Sequence, residues 1–264
     1  MVLLCLVLVR VGLGVCDLRN CVIRIGAKRL VWGMDEKTRK MFLLWSRRPE
    51  FKAKVAAATD LIRGYVERSK CVVAFSGGKD STVMLDLALK VDPEMDVFHW
   101  DHGSQLMPRE IQKEIIVNAR GIGAKNLFVE SSRLVEREDM RVNWKGWYRV
   151  FWGCLARVNR EHGWVYQFVG LRKEEGCKRS AKIKHPTKGE VYPLADWKYL
   201  DVWGYIVTRG LPYPKVYDKY GPVLGWENAR FVTFFDMEFE KFGGPFLDGF
   251  FFPQYRNLGK NLKG

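Results

Sequence analysis

Cys71-Val72-Val73-Ala74-Phe75-Ser76-Gly77-Gly78-Lys79-Asp80-Ser81 begins with five consecutive apolar residues, bounded by Lys70 and Ser76, and continues into a glycine pair. Such a run suits a strand covered on both faces, as at the centre of a parallel sheet. Val83, Met84, Leu87 and Ala88 then fall at helical spacing, which predicts a helix beginning near Ser81 or Thr82. A helix N-terminus offers free N–H groups and partial positive charge, and Gly77 and Gly78 carry no Cβ that would keep a phosphate from the backbone. Strand, turn and helix together read as a phosphate cradle; the plainer alternative is a Gly-rich turn of structural use. The P-loop is excluded, because it needs a Gly-Lys-Ser/Thr triplet and here Lys79 is followed by Asp80.

The 264 residues allow one large α/β domain or one domain with extensions, and 47% hydrophobic residues suffice for its core. A net charge of +14 points to an anionic partner or substrate, without separating nucleic acid from a small phosphorylated or sulfated molecule. Solvated lysine faces account for the charge equally well. The six cysteines, Cys5, Cys16, Cys21, Cys71, Cys154 and Cys177, contain no Cys-x-x-Cys pair, so neither a zinc ribbon nor an iron–sulfur site is signalled. Reduced thiols in a cytoplasmic protein are the expectation. Residues 1–15 are apolar apart from Arg10, too short to span a bilayer, and lack a basic start. They read as a secretory or anchor segment, a buried strand, or upstream translation of a gene starting at Met34; the last two are preferred, with no membrane association.

Four segments are expected: an uncertain extension over 1–33, a helical lead-in over 34–70, the nucleotide-binding domain over 71–225 and an aromatic-rich cover over 226–264. The extension has room for a strand around Cys21 to Ile25 and Arg29 to Trp32. The lead-in predicts a helix from Asp35 to about Arg47, stopped by Pro49, and another from Glu50 to Ser69 with Phe51, Val55, Ala58, Ile62 and Val66 on one stripe. Met95 to Gly103 reads as a second strand with a polar tip, Ile111 to Ile122 as a helix, and Asn126 to Glu130 as a third strand. Residues 133–143 read as a charged loop, Trp147 to Val158 as a helix ending before Gly163, and Trp164 to Val169 as a fourth strand. The βαβαβ run with short loops implies a parallel sheet. Ligands bind beyond the carboxyl ends of such strands, so Asp101, His102 and Gly103 should face Ser76 to Ser81. Leu200 to Ile206 predicts a helix, and Pro212 and Pro214 an extended segment from Gly210 to Asp218. A helix from Phe235 to Phe242 fits the cover, which packs over the sheet or against a neighbouring subunit of a homo-oligomer.

Ser76-Gly77-Gly78-Lys79-Asp80-Ser81 resembles the pyrophosphate loop of the adenine nucleotide alpha hydrolase, or N-type ATP pyrophosphatase, superfamily. That resemblance implies an α/β fold with a Rossmann-like (HUP-type) parallel sheet flanked by helices and carrying N- and C-terminal extensions. It implies that Ser76, Gly77, Gly78 and Ser81 hold phosphate oxygens, that Lys79 adds charge, and that Asp80 is a Mg²⁺-linked or turn-stabilising carboxylate. Asp101-His102-Gly103 followed by Pro108-Arg109-Glu110 is similar to the Asp-Thr-Gly and Pro-Glu-Thr elements of the phosphoadenosine phosphosulfate (PAPS) reductase family, with His102 replacing threonine. His102 reads as a structural turn residue rather than a catalytic one. Gly170, Arg172, Glu175 and Arg179 match the family's Gly-x-Arg-x-x-Glu-Ser-x-x-Arg segment, with Gly176 in place of serine. Pro193-Leu194-Ala195-Asp196-Trp197 with Asp201-Val202-Trp203, and Leu211-Pro212-Tyr213-Pro214-Lys215-Val216-Tyr217-Asp218, resemble its later motifs.

The resemblance makes Lys79, Asp80 and Arg172 catalytic candidates, Arg172 and Arg179 holders of the substrate anion, and Asp80 and Asp101 candidate Mg²⁺ ligands. ATP or PAPS is the implied nucleotide, with ATP cleaved between its α and β phosphates so that the adenylyl group passes to sulfate, FMN or nucleic acid. No cysteine follows Cys177, so the C-terminal Glu-Cys-Gly-x-His tail of the family's reductases is missing. A reductase would have to use Cys177, and a tRNA-thiolation or DNA-phosphorothioation role is the alternative of another class.

Overall fold

The computed structural model describes residues 23–25, 28–30, 33–103, 107–136 and 144–229. Two three-residue strands, β1 (Ile23–Ile25) and β2 (Lys28–Leu30), pair antiparallel. The readings of residues 1–15 and of Cys21, the cover beyond Ala229 and its helix from Phe235 to Phe242 fall outside the described residues. Helices α1 (Glu36–Ser46) and α2 (Pro49–Val66) form the lead-in. Asp35 caps α1 by accepting the Thr38 N–H at 2.8 Å, and Pro49 opens α2, where its missing N–H costs nothing. Among the expected stripe of α2, Phe51, Ala58 and Ile62 are buried.

The rest alternates strand and helix: β3 (Cys71–Ala74), α3 (Lys79–Val91), β4 (Asp96–Trp100), α4 (Arg109–Ile122), β5 (Asn126–Glu130), α5 (Trp144–His162), β6 (Tyr166–Val169), α6 (Cys177–Lys184), β7 (Glu190–Val191), α7 (Tyr199–Arg209) and α8 (Val216–Leu224). The five strands β5-β4-β3-β6-β7 form one sheet, parallel at every pairing. This is the α/β architecture the resemblance implied.

Period-two alternation explains why β3 is apolar at every position. Cys71, Val73 and Phe75 enter the larger core, between the sheet and α1, α2, α3, α7 and α8. Val72 faces the other way and joins Phe98, Trp100, Leu155, Val158 and Trp164 beneath α5. Burial is complete for Val72 and Val73, at 0% exposure each.

Two expectations are corrected, for the start of the cradle helix and for the segment after Pro214, and two elements are added, α6 and β7. The cradle helix starts at Lys79, earlier than Ser81 or Thr82, because Gly78 takes the extended cap conformation and Ser81 Oγ folds back onto the Gly78 carbonyl at 2.9 Å. The basic stretch after Gly176 is the helix α6. Strand β7 is too short to show a period and went unread. The segment after Pro214 turns into α8, with Pro222 inside it, instead of staying extended. Residues Arg133–Glu136 form a 3-10 turn, and the remainder of the charged loop lies outside the described residues.

Trp203 on α7 is fully buried at the hub of the larger core, with Phe42, Tyr213, Tyr217 and Trp226 rings around it at centroid distances of 4.7 to 6.2 Å. Its Nε1 donates to the Trp226 carbonyl at 3.1 Å. Trp203→Ala is expected to lower unfolding free energy by about 3–5 kcal/mol, read from the urea midpoint, whereas the same change at half-exposed Trp152 is expected to cost less than about 1 kcal/mol.

Candidate functional site

The strand order places β3 between β4, the next strand in sequence, and β6, reached only after β5. Successive connections therefore depart in opposite directions from the carboxyl end of β3, leaving a crevice between the segments that follow β3 and β6. Ser76–Ser81 and Gly170–Arg179 line it. The two are in contact: a Cβ on Gly170 would lie 2.9 Å from the Asp80 carbonyl carbon and 3.1 Å from the Ser81 nitrogen. Only glycine allows this approach.

The cradle is closed on itself. Ser81 Oγ accepts from the Ser76 N–H at 3.3 Å and lies 3.1 Å from Ser76 Oγ. Gly77 has φ +82°, and a Cβ there would stand 2.5 Å from Ile115 Cγ1, so backbone conformation and space both require glycine. The first turn of α3 carries N–H groups with no intrahelical acceptor, at the positive end of the helix dipole.

Lys79 does not project into the crevice mouth. It is 1% exposed, and its Nζ donates to the Ala229 carbonyl at 2.8 Å, 3.6 Å from Asp80 Oδ2 and 5.7 Å from the Tyr217 ring centroid. Its backbone N–H donates to Tyr217 Oη at 3.1 Å. Sequence reading gave Lys79 its charge but not its partners, which come from residues far along the chain.

Asp80 and Arg172 form an ion pair, Nε to Oδ1 at 2.5 Å, across the crevice. Burial pushes the Asp80 carboxyl upward, but the Arg172 guanidinium, with Lys79 and Arg179, outweighs it and holds the group below the ordinary range. Arg172 is 3% exposed; burial opposes its charge, and Asp80, Glu175 and Glu174 raise its pKa regardless. Arg172 Nη1 also donates to Glu174 Oε2 at 2.5 Å, and its backbone N–H to Glu175 Oε2 at 3.1 Å. Arg179 Nη1 reaches the same Glu175 oxygen at 3.3 Å. Glu174, unmarked by sequence reading, accepts the Tyr199 N–H at 2.6 Å and so joins this cluster to the start of α7.

Asp101 lies beyond the end of β4. Arg109 grips it with Nη1 to Oδ2 at 2.8 Å and Nη2 to Oδ1 at 2.9 Å, and the Gly103 N–H donates to Oδ1 at 2.9 Å. Burial raises its pKa, yet the Arg109 and Gly103 hydrogen bonds bring it below the usual value. Neighbouring His102 is partly buried, and desolvation of its ring drives its pKa down to about 3, so it is neutral at physiological pH. The two carboxylates expected to hold Mg²⁺ are each committed to a guanidinium, and among the described residues no three His, Cys, Asp or Glu side chains come together as a metal site. The donor set does not fit a protein-built Mg²⁺ cage. Cys177, exposed at the start of α6, follows the Arg172 cluster; Cys71 is buried.

The chain is similar to three kinds of known protein. The chain is 30% identical over 179 residues to an uncharacterized protein of Methanocaldococcus jannaschii, a match covering 61% of this chain and 37% of that one. It is 27% identical over 187 residues to sulfate adenylyltransferase subunit 2 of Mycobacterium tuberculosis, covering 57% of this chain and 59% of that one. The chain thus spans less than two thirds of these relatives' lengths. A crystal structure of phosphoadenylyl-sulfate (PAPS) reductase from Candida auris, in a phosphate complex, aligns with a TM-score of 0.48 and 15% identity, over 71% of this chain and 93% of that one. The family model of the phosphoadenosine phosphosulfate reductase domain matches residues 70–260, from just before β3 through the Arg172 cluster and beyond, and the chain belongs to that family.

Proposed function

We propose that the chain binds an adenine nucleotide with its pyrophosphate in the Ser76–Ser81 loop and cleaves between the α and β phosphates to adenylylate an anionic acceptor. The observation that carries this reading is the cradle itself: a closed Gly-Gly turn leading into a helix N-terminus, at the strand-order reversal of a parallel sheet. Family membership and the sulfate adenylyltransferase relative support the nucleotide and the reaction type.

In this reading an acceptor oxyanion attacks the α-phosphorus. The bond from the α-phosphorus to the α,β-bridging oxygen breaks, and pyrophosphate leaves with that oxygen and its electron pair, stabilised by the backbone N–H groups of the cradle. Asp80 and Arg172 act together. The carboxylate at the second helical position is held by Arg172, which fixes the start of α3 against the segment that follows β6. Positioning of the reacting groups is the main contribution of these residues. Sulfate, FMN and nucleic acid are the acceptor classes.

ATP and PAPS titrations of the full chain in the presence of Mg²⁺ test the reading. Expected is ATP binding that Gly77→Ala weakens by more than about tenfold, since the added Cβ displaces either the loop or Ile115. Pyrophosphate release on adding one acceptor class identifies it, and an RNA acceptor would show a steep loss of affinity with salt. Preferential PAPS binding with loss of turnover in Cys177→Ser would replace this reading with a reductase. Binding of neither nucleotide overturns both.

The Asp80–Arg172 pair also sets an acid limit. A carboxyl whose pKa is lower in the folded chain than in the unfolded chain contributes stability that is present above its unfolded pKa, about 4, and is lost as pH falls through the folded value. Denaturation midpoints of the parent chain should therefore fall below about pH 4, whereas Asp80→Asn should be less stable at pH 7 and show a flatter acid limb.

A further inference from the structure

His99 sits inside β4, away from the polar tip of that strand, and is 1% exposed. Its Nδ1 lies 2.7 Å from the carbonyl oxygen of Phe75, the residue immediately before the cradle. A carbonyl oxygen can only accept, so Nδ1 carries the proton. Burial, the largest influence, moves the ring pKa below its ordinary value against the hydrogen bond to the Phe75 carbonyl and the Asp101 charge, so the ring is neutral. In a neutral ring protonated at Nδ1, Nε2 is an acceptor; the Gln112 amide nitrogen stands 3.0 Å from it and the amide oxygen 3.2 Å, and of the two only the nitrogen can donate. Phe75 is one residue past the end of β3. Its N–H is satisfied by the Phe98 carbonyl at 2.8 Å, and its carbonyl is met by a side chain.

Gln112 is on α4, where Arg109, Gln112 and Ile115 follow one another at three-residue spacing and lie on one face. Arg109 grips Asp101, Gln112 meets His99, and the Ile115 side chain fills the space next to Gly77 that a Cβ would need. The turn is thus backed at two consecutive places from one helix: by a hydrogen-bonded relay at Phe75 and by an apolar wall at Gly77.

We propose that His99 and Gln112 are positioning residues for the phosphate loop: the relay from the Phe75 carbonyl through the His99 ring to the Gln112 amide fixes the peptide that enters Ser76–Gly78 and hence the direction of the cradle's N–H groups. The proposal rests on the nucleotide reading of the cradle. His99 touches no substrate; it acts through the backbone.

The test uses the full chain labelled with ¹⁵N-histidine, calorimetric titration with Mg²⁺·ATP, and melting temperature measured in parallel. The expected ring signature is a neutral imidazole protonated at Nδ1. His99→Leu, which keeps bulk and removes the donor, should weaken ATP binding by about tenfold, because the Phe75 carbonyl loses its partner. His99→Asn, whose amide nitrogen reaches the place of Nδ1, should restore affinity to within about threefold of the parent. Gln112→Leu leaves the Nδ1 bond and removes only its far anchor, so an intermediate loss is expected, and this variant serves if His99→Leu does not fold. Equal ATP affinity of parent, His99→Leu and Gln112→Leu would overturn the proposal, as would a ring protonated at Nε2 alone. Equal weakening by leucine and asparagine at matched melting temperature would reduce His99 to packing. Failure of the parent chain to bind ATP would instead remove the nucleotide reading and the claim built on it, while the tautomer would still be read from the spectrum.

Discussion

The Asp80–Arg172 ion pair is the contact on which the crevice depends. Two segments separated by most of the domain must lie against each other at the carboxyl edge of the sheet, and Gly170 lets their backbones approach. Backbone contact alone gives no orientation. A charged pair at 2.5 Å, with Arg172 3% exposed, supplies it, since removing either partner strands a buried charge at a cost of about 3–5 kcal/mol. The pair is embedded in further ties: Glu174 links Arg172 to the start of α7, and Glu175 links it to Arg179 on α6. Four elements, α3, the turn after β6, α6 and α7, are therefore fixed relative to one another through one guanidinium and its acceptors.

Lys79 is held by a second set of restraints from the opposite direction. Tyr217 on α8 meets its backbone N–H, and the Ala229 carbonyl meets its ammonium. The first turn of the cradle helix is thus anchored by residues from α8 and from the segment beyond it, packed around Trp203 and Trp226. The aromatic hub and the cradle are joined through Tyr217, which packs against Trp203 and meets the Lys79 N–H.

Much of this was legible in the sequence where the signal is local. Five apolar residues before a glycine pair mark β3, and Asn126–Glu130 is read with its boundaries intact because Gly123, left-handed at φ +116°, ends the preceding helix. The Gly77 requirement is also legible, although its reason, the Ile115 side chain, is tertiary. What stayed unread is of two kinds. Strand β7 has two residues, too few for a period of two to appear. The destinations of long cationic side chains are the other kind: Arg172 and Arg179 are expected to hold a substrate anion and Lys79 to add charge, and the structure supplies the acceptors the sequence does not show, Asp80 and Glu174 for Arg172, Glu175 for Arg179 and the Ala229 carbonyl for Lys79. Residue type and spacing specify charge, but the partner is decided by which elements the topology brings together. His99 escaped notice for the same reason, since an imidazole inside an apolar strand has no local mark distinguishing a relay from a filler.

The overall charge of +14 does not describe the crevice. Around the cradle, the carboxylates of Asp80, Glu174 and Glu175 stand against the cations of Lys79, Arg172 and Arg179, a locally balanced set. Local net charge therefore contributes little to attracting a polyanion. Its capture would rest on the aligned N–H groups of the α3 N-terminus at short range and on the diffuse positive field of the whole chain at long range. The first is directional and little affected by salt, whereas the second is screened within about 8–10 Å at physiological ionic strength. Affinity in such a site depends on how rigidly the amides are aimed, and the restraints that aim them converge on the loop from three sides: Arg172 at Asp80, Tyr217 at Lys79 and His99 at Phe75. A site whose local charges cancel gains selectivity from geometry, because a misaligned anion meets Glu174 or Asp80 as readily as it meets Arg172.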